Sequence, residues 1–286
     1  MKRMRTMLFA FLSCLSLFSS GAEKIEESNL DLNTAPWTSL SIRMAFDSES
    51  LEEKAAPPVR GVALGLGGIA IDGTLDGLGL GLPVIASQGG SGLMISGLLS
   101  YSIGGGEQSN PTCWKGLQAS LAVSGANGLS GVQVGLIGAG ADHLRGIQLG
   151  GLMADSERLA GVSAGGLFAS ASTGCGVVTS PCVTSTGNAL ALANAPSLPF
   201  RGIQLACIAN FAMDVRGVQV ALGANVANEC RGVQAALFYN RANELHGFQV
   251  GLINVARSGA GVQVGLINTF GTDQDRSVLP FLNARF

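Results

Sequence analysis

One short phrase recurs along this chain at fifteen-residue intervals. From residue 201 it reads RGIQLACIAN, RGVQVALGAN, RGVQAALFYN, HGFQVGLIN and AGVQVGLIN. Its glycine falls at Gly202, Gly217, Gly232, Gly247 and Gly261, and an earlier block places it at Gly116, Gly131, Gly146 and Gly161. A short fixed period means one supersecondary unit tiled many times. Tiling also argues against an enzyme and against a bound cofactor or metal. Catalysis needs unlike side chains converging on one point, whereas a repeat lays like side chains in rows.

Within one unit, Val262, Val264 and Leu266 alternate with Gln263, Gly265 and Ile267, the period of two that marks a strand with unlike faces. One face is apolar in nearly every copy, as in Val218, Val220 and Leu222; the other is small or amidic, as in Gln219 and Ala221. Asn210, Asn225, Asn240, Asn254 and Asn268 follow each strand and read as exit residues, because Asn tolerates left-handed conformations. The frame extends more weakly to Gly61, Gly77, Gly92, Gly176 and Gly187. Residues 39–286 therefore read as one repetitive β domain, clearest over 116–169 and 202–270 and closed by a strand at 278–286. Tyr101–Cys113 and Ala171–Gly187, rich in Gly, Ser, Thr and Pro, read as surface loops.

Residues 1–22 read as an export signal: Lys2, Arg3 and Arg5 precede an apolar run from Met7 to Phe18 and the small residues Ser20-Gly21-Ala22. The charged segment 23–38 reads as flexible. Loss of the three leader cations takes the formal net charge from −2 to −5, which excludes nucleic acid as an expected partner. Only 13% of residues are charged while 47% are hydrophobic, and the apolar residues come in short pieces. Such a chain either buries both faces of a sheet or turns one of them to lipid. In an exported chain Cys175 and Cys182 are candidates for a disulfide closing the turn-rich GCGVVTSPC segment, with separate thiols as the alternative.

Two architectures accommodate this pattern. An antiparallel outer-membrane β-barrel of about 14–16 strands matches strands with one lipid-compatible face and a chain ending in an aromatic, Phe286. Its partners would be outer-membrane lipid and the insertion machinery, and its function structural or that of a passive pore. A parallel β-solenoid instead explains why each single strand carries the same Gly, Gln and Asn, since stacked coils would align like with like. That architecture suits a surface binding or adhesion module for an unidentified ligand. The barrel is the leading expectation and the solenoid the alternative. The G-[VIL]-Q-x-[GA]-L-x-N phrase, with the terminal LPFLNARF, resembles the surface-repeat proteins of leptospiral type, exported chains of GLQIGLIN-like units. The resemblance implies an outer-membrane or cell-surface location and no assigned activity.

Three motifs invite other readings. Gly161-Val162-Ser163-Ala164-Gly165 matches a nucleophile elbow, with His143 and His246 as imaginable bases, yet it occupies the slot of GVQVG in sister units. The Gly65–Gly68 and Gly77–Gly81 stretches lack the Lys-Ser/Thr of a phosphate loop. Arg201, Arg216 and Arg231, each opening a unit, read as a solvated row paired with Asp214, Glu229 and Glu244, or as a stripe for a polyanion.

Overall fold

The computed structural model describes residues 39–43, 59–66, 69–103, 114–186, 199–272 and 274–286, all within one unit, Pro36–Phe286. The expected export signal and the 23–38 segment lie outside the described residues. The strands of the described residues make one 17-stranded sheet. Pairing is parallel from Ser39–Arg43 against Val59–Leu66 onward, and like meets like: Gly202 with Gly217, Gln204 with Gln219, Gly217 with Gly232, Gln219 with Gln234. The antiparallel barrel is therefore not formed; the chain is the parallel β-solenoid. The reason lies in the repeat itself. Like residues repeated from strand to strand, above all Gln and Asn, find identical neighbours only when successive strands run the same way.

Each coil, named here for its glycine, has two sides. In the Gly217 coil, strand Ala209–Ala221 buries Asn210, Ala212, Val215, Gln219 and Ala221. Alternation breaks between Ala212 and Val215, which are three apart and both point inward. There the pairing skips Met213, and the chain rounds a corner as at a bulge. A two-residue turn at Leu222-Gly223 closes the coil. Side chains from the two sides meet across a narrow interior: Gln234 Nε2 donates to the Arg241 carbonyl at 3.4 Å, and Asn225 Nδ2 to the Ala235 carbonyl at 2.8 Å.

The glycine is required by that stacking. Gly217 has φ +147, and a Cβ there would stand 2.0 Å from the carbonyl oxygen of Gly202 in the preceding coil. No side chain fits, and L-residues avoid that backbone region.

Two devices hold coil to coil. A spine of Trp114, Leu129, Leu144, Leu159, Phe200, Val215, Cys230 and Leu245 runs through the interior, each large member contributing roughly 1.5–3 kcal/mol by burial. Beside it run amide ladders. Gln263 donates to Gln249 (2.8 Å), Gln249 to Gln234 (2.7 Å), Gln234 to Gln219 (2.8 Å) and Gln219 to Gln204 (2.6 Å). The Asn ladder runs the other way: Asn210 donates to Asn225, Asn225 to Asn240, Asn240 to Asn254 and Asn254 to Asn268, at 2.7–2.9 Å. The asparagines expected at strand exits are thus interior residues. Burial supplies most of the stability. The ladders fix the register, because a slipped amide leaves a buried donor or acceptor unmet at about 1–3 kcal/mol.

Ala171–Gly187, expected as a loop, is mostly a regular coil. Phe168–Ser180 pairs with Met153–Gly165, and Gly176 sits between Gly161 and Gly202 in register. Two other coils are interrupted, one by residues 104–113, most of the loop expected over Tyr101–Cys113, and one by residues 187–198, both outside the described residues, and so contribute two strands each. The stack ends at Ser277–Arg285, which lies antiparallel on Ile253–Phe270. Asn283 turns inward and donates to the Asn268 carbonyl at 3.3 Å. The reversal stops the ladder at Gln263, whose Oε1 has no hydrogen-bond partner, and so prevents further parallel addition.

Candidate functional site

The alternation read from sequence is present, but its sense is the reverse of an ordinary core. Gln fills the interior and the apolar row faces outward. In the Gly217 coil Val220 is 39% and Leu222 61% exposed while Gln219 is fully buried. The same side carries Ile203 and Leu205, Phe248 and Val250, and Val264 and Leu266, all exposed except where a neighbouring coil shields part of the side chain. Between the glycine and the closing turn, no coil has an Asp, Glu, Lys, Arg or His on this side. Stacked at ~4.8 Å per coil, the Gly61 to Gly261 coils make one apolar face about 60 Å long. Contiguous exposed apolar surface of this extent marks an interaction site.

The face has local relief. Where Gly151 and Gly166 replace the leucine that opens the turn in sister coils, a shallow depression of about 380 Å³ is present, bordered by Val134, Leu136, Leu149 and Ala164. Near the carboxyl end the turn is aromatic instead, with Phe238 exposed and Tyr239 half-buried.

One border of the face is basic. The residue before each glycine points out on the same side; it is Lys115, Arg145 and, in four successive coils, Arg201, Arg216, Arg231 and His246, all exposed, while Ser130, Ala160, Cys175 and Ala260 hold the place in other coils and Asp76 holds it before Gly77. In the carboxyl-terminal coils the acids lie one step farther from the apolar rows. Arg231 Nε pairs with Glu229, and His246 Nε2 meets Glu244 Oε1 at 2.8 Å. The opposite border, Leu222-Gly223 and Leu237-Phe238, is uncharged. The Arg row predicted from sequence is therefore real as a row, and its position beside the apolar face is what the spacing alone left open.

The remaining sequence candidates disperse. Ser163 is fully buried in the Gln slot, its hydroxyl donating to Gln148 Oε1 at 3.3 Å. His143 sits at a corner beside Arg158, and His246 lies outside, many coils away. Cys175 stands at the basic border, in register with Arg201, whereas Cys182 occupies the turn at the far end of the same side. Both are free thiols, since the extended strand between them holds them apart. Cys182 is instead one position from Cys207 of the next coil, where Ile208 N donates to the Cys182 carbonyl at 3.0 Å. Cys230 belongs to the spine, and burial pushes its thiol up to about 12. Among the described residues no three His, Cys, Asp or Glu side chains gather as a metal site, and no helix is long and apolar enough to cross a membrane. Comparison with protein-family models, with curated proteins and with solved structures finds no match to this chain.

Proposed function

We propose that this chain is an exported, non-enzymatic surface module: a β-solenoid displayed at the outer membrane or cell surface that works by binding through one repetitive face. The observation that carries the reading is the inversion of the repeat. A solenoid needing only to be stable would bury its Val and Leu rows. This one gives part of its interior to amides and holds those rows in the open, coil after coil. The leader-like residues 1–22 and the resemblance to leptospiral-type surface-repeat proteins support export and display.

The test is location. Protease treatment of intact cells should remove the protein, and amino-terminal sequencing of the envelope fraction should begin near Glu23. Recovery of a chain retaining Met1 from the cytosol would overturn the proposal. A second readout separates this module from a spanning barrel: the solenoid keeps its strand signal in buffer without detergent.

A further inference from the structure

Resting on that reading, we infer that the partner of the exposed face is an anionic lipid surface, on which the solenoid lies without crossing the bilayer. Three features converge. The first is a long, largely apolar face with no charge on it. The second is the order of groups across the carboxyl-terminal coils: apolar rows, then Arg201, Arg216 and Arg231 with His246, then the acids Glu229 and Glu244 beyond them. A protein seated at a bilayer presents groups in that sequence, with apolar side chains in the acyl boundary, cations at the phosphates and acids held back in water. The third is the aromatic pair at the uncharged border, Phe238 and Tyr239, residues that favour the interfacial layer.

Charge also discriminates against a second copy. Two chains laid face to face about a two-fold axis bring the basic border either onto its own symmetry mate or onto the Leu222-Gly223 edge. The first arrangement sets the Arg201–His246 run against a border whose one acid before a repeat glycine is Asp76, and the second offers no acid. An anionic headgroup layer complements the apolar rows and the basic border at once.

Flotation with vesicles tests this. The purified protein should float with vesicles of equal parts phosphatidylcholine and phosphatidylglycerol, and more weakly with phosphatidylcholine alone. Replacing Val220 and Val250 together by Asp should abolish flotation on both, while Met213→Asp, at the corner beyond the basic border, should leave it unchanged. Replacing Arg201, Arg216 and Arg231 by Gln should weaken binding to the anionic vesicles on the order of a hundredfold and leave phosphatidylcholine binding as it was. All variants share the amino-terminal apolar run, so differences among them belong to the sheet face, and circular dichroism confirms that each is folded. Equal flotation of wild type and the Val220–Val250 variant would overturn the inference. So would a wild type that does not float and sediments as a dimer which that variant dissolves, an outcome naming a second copy as the occupant. Failure of flotation with surface exposure intact would remove the lipid partner and leave the display reading standing.

Discussion

The amino-terminal and carboxyl-terminal coils share one backbone and fill it in opposite ways. In the Gly217 to Gly261 coils the two inward slots hold Gln and Asn, paired into ladders. In the Gly77 coil the same slots hold Gly79 and Ile69, and in the Gly92 coil Met94 and Ile85. Ile85 is fully buried, and a Cβ on Gly79 would stand 2.6 Å from its Cδ1, so one large residue takes the room that two amides share elsewhere. The backbone tolerates either filling because only the glycine column is sterically fixed: Gly92 and Gly217 both have positive φ and both sit against the preceding coil's carbonyl. The coil is set by glycine and the contents are a local choice between shape and hydrogen bonding.

The largest expected effect is the one the two regions share. Gly217→Ala and Gly92→Ala should each cost about 3 kcal/mol or more, combining an unfavourable φ with overpacking against backbone, as read by urea unfolding. A mild effect at either position would mean that the glycine column is not the common frame.

The next effect should separate the regions. Gln219→Leu keeps volume but leaves Gln204 Oε1 and Gln234 Nε2 without their ladder partners, a loss of roughly 2–4 kcal/mol. Met94→Leu in the equivalent amino-terminal slot should cost less than about 1.5 kcal/mol. Equal losses would erase the distinction between amide-filled and apolar coils.

The smallest effect lies between them, at a corner. Burial pushes the Asp142 carboxyl above its ordinary 3.8, and Glu157 adds to the rise. The folded state therefore holds this proton more tightly than the unfolded chain. Its contribution is most favourable below pH 3.8 and is lost as pH rises through the raised value. Asp142→Asn should stabilise the protein at pH 7 by less than about 1 kcal/mol, given the group's partial exposure, and the gain should vanish below pH 3.8. A gain that persists there would place the cause outside titration.

Much of this was legible in the sequence. The period located Gly217 and its equivalents, and alternation assigned Gln219 and Val220 to opposite faces. The spacing of Gly161 and Gly176 already marked a coil where composition suggested a loop. Which face is inside was not legible. Apolar residues ordinarily go in, and a barrel in lipid or a solenoid in water reverses that rule for different reasons. The deciding signal was the identity of Gln and Asn from strand to strand, which only parallel neighbours convert into hydrogen bonds. Asn210 and its equivalents were obscured by their place beside the turn, where Asn has a local role of its own. The shortened turn at Gly251-Leu252 shifts Asn254 in sequence but not in space, where it still meets Asn240 at 2.9 Å.

Parallel stacking is the claim on which the interior, the exposed face and the partner all depend, and paired cysteines test it directly. With the native cysteines replaced by alanine, Val220→Cys and Ala235→Cys fall in register on adjacent coils, about 4.8 Å apart at the backbone. They should form an intramolecular disulfide readily under mild oxidation, while Val220→Cys with Phe238→Cys should not. Efficient bridging of the 220–238 pair with none at 220–235 would mean that successive strands reverse direction, and would contradict the solenoid.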